Sequence, residues 1–483
     1  MQDSAVLLWF RQDLRLADNP ALQAALKLKQ PVIPLYIDSS DTSSPYGRLG
    51  AASRWWLHHS LEKLDDELQK RGSRLVIRQG DPRQILPELV AENKVDHVYW
   101  NRCYEPQAVA RDTALKKHLT DLNVLVSSHN GSLLAEPWEI QTKTGSPYQV
   151  FTPFSRAVKA HPIPAPESTP RTIPASPEFP SSLSLKELRF LPRIPWDKEF
   201  YDSWQPGEAG ARQELKRFLK QSVRDYKTKR DVPALPGTSR LSPHLHFGEI
   251  SPRQIWHEVC SSLAEDPAQP EFGEPYLRQL IWRDFAHHLL YHFPQTVTKP
   301  LRADFEHFPW NEDSQALHAW QRGRTGFPIV DAGMRELWRT GWMHNRVRMI
   351  VASFLVKDLL IPWQAGADWF WDTLVDADLA NNTLGWQWVA GCGADAAPYF
   401  RIFNPITQGK KFDPEGAYIR RWVPELASLP DQFIHAPWEA PKEVLAPAGI
   451  QLGSTYPRPL VDHAAARAAA LEALKTMNRS TRE

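Results

Sequence analysis

The sequence predicts an α/β N-terminal domain, a doubly wound parallel sheet, joined by a long connector to an all-α C-terminal domain. Three observations carry this expectation. Short apolar runs of strand length alternate with helix-period stretches over residues 1–130. A dense series of prolines fills 161–183, and apolar residues recur at helical spacing from about residue 200 onward. The expected divisions are therefore 1–130, 131–200 and 201–483, and a chain of 483 residues is long enough for two or three domains.

The strands expected in order are Val6–Phe10, Val32–Ile37, Leu75–Ile77, Val98–Trp100 and Val124–Val126. Between them lie helical patterns such as Ser53–Lys70, where Leu57, Leu61, Leu64 and Leu68 share one face. Alternation of this kind implies parallel strands with crossover helices. The first strand leads into Arg11-Gln12-Asp13-Leu14-Arg15 and not into GxGxxG, so a dinucleotide in the usual mode is not expected there. The run HPIPAPESTPRTIPASPEFPSSL at 161–183 reads as an extended connector, since proline removes backbone donors and blocks helix. Beyond it, Val330, Met334, Leu337 and Trp338 form an apolar stripe that Thr340-Gly341 ends. Val347, Ile350, Val351, Phe354 and Leu355 form a second, which places Asn345, Arg348 and Met349 together on a neighbouring face. Ala464–Thr476 reads as an Ala-rich helix.

Lys and Arg number 57 against 56 Asp and Glu, a net charge of +1, so a nucleic-acid partner would need a local patch and not a basic average. Three cysteines, Cys103, Cys260 and Cys392, lie far apart without a CxxC, which excludes a disulfide framework or a cysteine-built metal site and fits a reducing compartment. No metal is expected. The opening residues MQDSAVLLWFRQDLR read as a strand and not a signal peptide, and no apolar stretch approaches the roughly 18 residues of a membrane span. A soluble, cytoplasmic monomer is expected.

The densest chemical signal runs from Asp376 to Trp388. It packs Asp376, Asp378, Asn381, Asn382, Trp386, Gln387 and Trp388 into thirteen residues. Buried carboxylates and amides need partners, and exposed indoles waste apolar area. The cluster therefore points to a planar cofactor or an unstacked base.

Several motifs now stand in a fixed order: WFRQDLRLADNPAL at 9–22, GTSRLSPHLHFGEISPRQ at 237–254, GRTGFPIVDAGMREL at 323–337 and GWMHNRVRMIVASFLVKDLL at 341–360. A long stretch from Trp371 to Leu426 follows, with WDTLVDADLANNTLGWQW and GCGADAAPYFRIFNP. Over nearly its whole length the chain resembles the photolyase/cryptochrome family, and within it the bacterial class III photolyases of cyclobutane pyrimidine dimers. The resemblance implies flavin adenine dinucleotide (FAD), folded into a U in the helical domain. Tyr226, Thr238, Ser239, Arg240, Leu241 and Ser242 would hold its phosphates, in keeping with hydroxyls and backbone N–H groups at a helix start. Asp376 and Asp378 would lie beside ribose and isoalloxazine, with Arg348 paired to Asp376. Asn382 would face flavin N5. Plant cryptochromes typically carry Asp there, so Asn382 favours a repair enzyme. Trp386, Trp363 and Trp310 match the family's tryptophan chain for electron transfer to the flavin.

On the substrate side, the resemblance implies damaged DNA with the dimer flipped out of the duplex. Trp282 and Trp388 would wall its pocket, Asn345 would bond a base edge, and Arg283, Met349 and Gln408 would add contacts. Arg346, Arg401, Lys410 and Lys411 would neutralise phosphates. One position departs from the family pattern: Gln279 stands where dimer photolyases typically have Glu. It can donate and accept a hydrogen bond but cannot carry charge. Glutamine there is common in (6-4) photolyases and animal cryptochromes, but their histidine is replaced by Asn345. The folate-contacting Asn-Glu pair of class I enzymes is replaced by Gln107-Ala108, and methenyltetrahydrofolate at other contacts is the expected antenna, with a deazaflavin as the alternative. The expected activity is light-driven dimer splitting. A cryptochrome-type blue-light photoreceptor is the rival, opposed by Asn382, by the Trp282/Asn345/Trp388 set and by the lack of a long tail. A dark flavin oxidoreductase lacks a nicotinamide site.

Overall fold

In the computed structural model, residues 4–39, 46–264, 272–396 and 400–480 are described, which leaves Ala397–Tyr399 of the GCGADAAPYFRIFNP motif outside. The chain divides into two compact units. The first comprises Met1–Arg224, Ser239–Pro294 and Val375–Ala380; the second comprises Asp225–Thr238, Gln295–Leu374 and Asn381–Glu483.

The first unit contains the expected doubly wound sheet. Strands β1 (Ala5–Phe10), β2 (Val32–Asp38), β3 (Val76–Gln79), β4 (Val95–Asn101) and β5 (Leu125–His129) lie in the order β3-β2-β1-β4-β5, all parallel. β1 and β2 are buried throughout, so both read as continuous apolar runs. β5 is an edge strand with an exposed Leu125, and its outer half is Ser127-Ser128-His129, which is why the apolar run in the sequence is shorter than the strand. Helices α1 (Pro20–Lys27), α2 (Ala51–Gln69), α3 (Pro82–Glu92) and α4 (Pro106–Asp121) supply the crossovers. As expected, α2 buries Leu57, Leu61, Leu64 and Leu68.

The proline-rich segment lies extended along this sheet and is tied to it. Val32 N donates to Pro174 O at 2.8 Å, Ile173 N to Arg71 O at 3.1 Å and Leu183 N to Ile77 O at 2.9 Å. Prolines cannot donate, but their carbonyls accept. Two further helices matter below: α5 (Phe151–Ala160) and α6 (Glu274–His292). Phe154 of α5 packs against Phe285 and His288 of α6. The buried Asp284 of α6 accepts from Leu134 N and Ala135 N at 2.8 and 3.1 Å, which fastens α6 to the chain after β5.

The second unit is helical. Helix α7 (Pro328–Thr340) ends at Gly341, whose φ of 67° gives the left-handed stop that its sequence signals. Val330, Met334 and Leu337 are buried as expected, but Trp338 is 53% exposed, which corrects its place in the core stripe. Its indole lies parallel to that of Trp369, and this pairing covers one ring face without burying it. At Gly333 a Cβ would stand 2.4 Å from Val347 Cγ1, so the glycine lets α7 meet α8 (Asn345–Ser353) closely. The apolar spacing through Phe354 and Leu355 suggests an unbroken α-helix, yet Phe354–Asp358 forms a π turn. The wider turn takes Lys357 fully inside, where its Nζ donates to Ala390 O at 2.6 Å. Helices α9 (Trp363–Thr373) and α10 (Leu379–Ala390) follow, and His463–Ser480 forms the expected Ala-rich helix.

Candidate functional site

In the first unit, α6 carries Gln279, Trp282 and Arg283 within little more than a turn. Trp282 lies flat on Phe151 of α5, with ring centroids 3.6 Å apart and planes 2° off parallel. Phe285 meets both rings edge-on. One face of Trp282 is therefore covered and its orientation fixed. Gln279 is half-buried, and its Nε2 donates to Pro275 O at 3.1 Å. Arg283 donates to Ser132 O, so its guanidinium holds the loop after β5.

The Thr238–Ser242 stretch crosses from the second unit into the first. Arg240 has φ 56°, uncommon for a residue with a side chain, and its guanidinium lies 4.2 Å over the Trp204 ring. Ser239 Oγ accepts from Leu241 N at 3.3 Å, and Ser242 opens a short helix ending at His246.

Asp376 and Asp378 are both buried, at 7% and 6% exposure. Asp378 Oδ2 lies 3.5 Å from His287 Nε2 and 3.7 Å from His246 Nδ1. Burial opposes its charge, but His287 and His246 outweigh it and hold the carboxyl well below the usual carboxylate range. Burial likewise opposes protonation of His287, and Asp378 turns the balance upward. His287 Nδ1 faces Arg283 O at 3.0 Å, which leaves Nε2 toward the acid.

In the second unit, α10 carries Asn382, Trp386, Gln387 and Trp388. Asn382 Nδ2 donates to Ala367 O of α9 at 3.1 Å. A carbonyl only accepts, so the amide orientation is fixed and Oδ1 is turned away as an acceptor. Trp386 is buried against Phe370 and Trp320, with centroids 5.0 and 6.2 Å away, and its ring edge lies on Gly366. Trp388 is half-buried and donates to Asp395 O at 3.2 Å. Gln387, between the two indoles, is 2% exposed. Its Nε2 donates to Thr296 O and Lys299 O at 2.7 and 2.8 Å, and its Oε1 accepts from Leu301 N at 2.9 Å.

The other two tryptophans of the expected chain, Trp363 and Trp310, belong to the same unit as Trp386. Trp363 opens α9, buried, one turn before the Gly366 that Trp386 touches. Trp310 is half-buried against Phe308, and the next residue, Asn311, donates from its backbone to Leu360 O at 2.7 Å. Tyr226 is buried, which pushes its hydroxyl up to about 12.

Helix α8 presents Asn345, exposed, with its amide 4.0 Å from the half-buried Met349 sulfur. Arg348 Nε donates to Met343 O at 2.7 Å. Arg346 pairs with Asp231 at 2.9 Å and lies 4.3 Å over the Phe412 ring, which Lys411 flanks at 5.1 Å. Phe412 ends the helix Pro405–Phe412, which bears Gln408 and the exposed Lys410 and Lys411; Arg401 is exposed before it. Arg346 and Lys411 thus flank one phenylalanine, with Asp231 as counter-charge to Arg346.

His246, His287, Phe151 and Trp320 were not singled out by sequence. Each reads there as an ordinary core residue, because its partner is distant in the chain. Among the described residues no cluster able to hold a metal ion occurs, and no helix is long and apolar enough to cross a membrane.

Comparison with known proteins follows the same lines. Residues 6–171 match the family model described as DNA photolyase, and 276–476 match that for the FAD binding domain of DNA photolyase. A deoxyribodipyrimidine photo-lyase of Agrobacterium fabrum is 50% identical over 483 residues, all of both chains. Cryptochrome-1 of Arabidopsis thaliana is 38% identical over 98% of this chain and 70% of its own. The crystal structure of a bacterial class III photolyase from Agrobacterium tumefaciens superposes with a TM-score of 0.95 at 49% identity, covering 99% of this chain and 98% of that one.

Proposed function

Because the chain belongs to the DNA photolyase family, we propose a division of labour among its residues in the light-dependent splitting of cyclobutane pyrimidine dimers. The protein acts as a deoxyribodipyrimidine photo-lyase and binds FAD through its helical domain. When bound, FAD supplies the light-driven electron that opens the cyclobutane ring and is then returned. The residues present suit it. His246 is buried, with Nδ1 turned to Asp378 at 3.7 Å and Nε2 without a hydrogen-bond partner among the described residues, as is the case for Trp386 Nε1. Buried polar atoms of this kind call for a ligand.

The observation that carries the reading is the fixed amide of Asn382. With Nδ2 committed to Ala367 O, its Oδ1 suits an N–H donor such as flavin N5–H. Asp378, kept ionised by two histidines, would accept from flavin or ribose donors, and Asp376 and Arg348 would act with it. Tyr226 and Thr238 to Ser242 would take the phosphates. Trp310, Trp363 and Trp386 would pass electrons inward, since indoles at near-contact steps are oxidisable relays. Trp282, backed by Phe151, offers one flat face to a flipped base, and Trp388 another. Gln279 and Asn345 would bond base edges. Arg283, Arg346, Met349, Arg401, Gln408 and Lys410 would hold the strand, the cations by charge.

Residues 1–130 would hold an antenna, which we assign as methenyltetrahydrofolate, with a deazaflavin as the alternative that chromophore extraction would reveal. Residues 131–200 would connect it to the catalytic portion, 201–483. The deciding test supplies an ultraviolet-damaged oligonucleotide, reduced protein and blue light. Thymine dimers should disappear; their persistence with reduced FAD bound would sink the reading.

A further inference from the structure

We propose that Lys357 is a positioning residue of the repair site: it fixes the chain reversal after α10, and that reversal holds the Trp388 indole in its working orientation. This rests on the reading of Trp388 as a wall beside the flipped base.

Lys357 is costly to place where it lies. Its side chain is fully buried. Burial holds its pKa well below the ordinary lysine value, with the Cys392 thiol opposing. That thiol is itself pushed up to about 12 by burial, so it supplies no ready counter-charge. A buried amine persists where its hydrogens are used. Lys357 Nζ donates to Ala390 O at 2.6 Å and lies 3.0 Å from the centroid of the Phe400 ring. An uncharged amine has two N–H groups, one for the carbonyl and one for the π face.

These two partners flank a reversal of the chain. Ala390 ends α10, and Gly391 follows at φ 91°. The N–H groups of Gly391, Cys392 and Gly393 all turn back to Gln387 O, at 3.0, 3.1 and 3.0 Å. Gly393 fits because a Cβ there would stand 2.8 Å from Gln387 Cβ. The chain then reaches Asp395 at φ 49°, whose carbonyl accepts from Trp388 Nε1 at 3.2 Å. An indole has a single N–H, so this bond decides how the half-buried ring is turned. Lys357 meets the chain before the reversal at Ala390 and after it at Phe400. Without its hydrogens Ala390 O loses a donor and the Phe400 ring loses its contact. The reversal is then tethered at Gln387 O and, through Cys392 O, at Arg302 N. The Trp388 bond is already at the long end of the N–H···O range, so a small shift of Asp395 breaks it.

The test measures dark affinity for an oligonucleotide with a single thymine dimer and for the undamaged one, as a ratio, on folded, flavin-loaded protein. Lys357→Met keeps the length of the side chain but has no N–H. It should lower the ratio about threefold to tenfold, the worth of one hydrogen bond, with flavin content and undamaged binding held. The same substitution in a Trp388→Ala background should lower the ratio no further, because nothing is left to position. Phe400→Leu leaves the bond to Ala390 O and loosens only the far side; it should lower the ratio about twofold to fivefold, again only while Trp388 is present. Should Lys357→Met fail to fold, Phe400→Leu decides alone. An unchanged ratio in the folded variant, or a loss that persists in full without Trp388, would overturn the proposal and leave the substrate reading standing. A wild-type ratio in Trp388→Ala would overturn the substrate reading and the proposal with it.

Discussion

His287 Nε2 stands 3.5 Å from Asp378 Oδ2 in the interior of the first unit, with both residues under 7% exposed. The pair makes stability depend on pH at both ends. The Asp378 carboxyl is depressed, so its contribution is present above the ordinary carboxylate pKa and is lost as pH falls through the folded value. His287 is raised, so its contribution is full below the ordinary imidazole pKa of about 6.5 and is lost as pH rises through the folded value. The joint window lies between about pH 4 and the raised imidazole value. His287→Asn should cost about 3 kcal/mol within it, the lower end for breaking a buried pair, because His246 at 3.7 Å still faces the acid. Denaturant midpoints of the flavin-free protein, taken from pH 5 to 9, should fall with rising pH in wild type more than in the variant. Parallel curves would exclude the pairing.

Gln387 holds Thr296, Lys299 and Leu301 to α10 through three hydrogen bonds from an amide that is 2% exposed. The same stretch leads to Trp310. Gln387→Leu removes these three bonds, of which the one to the buried Thr296 is fully shielded and those to Lys299 and Leu301 partly so, and should cost about 2–3 kcal/mol. Hydrogen exchange should rise first at the Leu301 amide. Electron delivery to the flavin should slow while dark DNA binding holds, because Trp388 keeps its own bond to Asp395 O. Equal loss of both would make Gln387 a general packing residue.

Much of this was legible in the sequence, and the reasons differ by element. The five strands were visible because β1 and β2 are buried on both faces and carry no polar alternation. Asn382, Trp386 and Trp388 were visible because their residue types are costly where no chemistry uses them. His246 and Phe151 were not, since a histidine beside Asp378 or a phenylalanine under Trp282 depends on contacts more than a hundred residues apart. The π turn at Phe354–Asp358 was also invisible: its apolar residues keep helical spacing, and what distinguishes it is a lysine reaching Ala390 O.

Phe151 contributes to the site only as the floor beneath Trp282. Phe151→Ala should cost about 3–5 kcal/mol, as for other buried phenylalanines. Phe151→Leu keeps most of the volume and should fold, yet it cannot stack. In that variant Trp282 loses its parallel partner, and dark affinity for damaged DNA should fall about threefold to tenfold, an aromatic pair's worth. Affinity for undamaged DNA should stay constant, because no phosphate contact changes. A uniform fall in both would assign Phe151 to folding alone.

Arg346 is bound to Asp231 at 2.9 Å while it also faces Phe412. If the guanidinium reaches a DNA phosphate, Arg346→Gln should lower the slope of log affinity against log salt by about 0.9. Asp231→Asn should leave that slope in place and tighten binding slightly at low salt, because it removes only the competing carboxylate. A slope unaffected by Arg346→Gln would mean that Arg346 serves to anchor the Asp225–Thr238 segment and not the strand.

Asn382→Asp changes one atom type and reverses the logic of its contact. The amide donates to Ala367 O at 3.1 Å, whereas a carboxylate at the same place would set oxygen against oxygen. The introduced acid can keep the contact only when protonated, so its folded pKa should lie above the unfolded value of about 3.9. A raised pKa makes the contact fully available below the unfolded value and loses it as pH rises through the folded one. Flavin retention by Asn382→Asp should therefore decline between pH 5 and 8, while wild type stays flat, as dialysis followed by flavin absorbance would read. Asn382→Leu should retain flavin equally poorly at every pH, which separates loss of the amide from gain of a charge. A pH-independent Asn382→Asp would show that residue 382 can turn away from Ala367 and that the fixed amide does not orient the site.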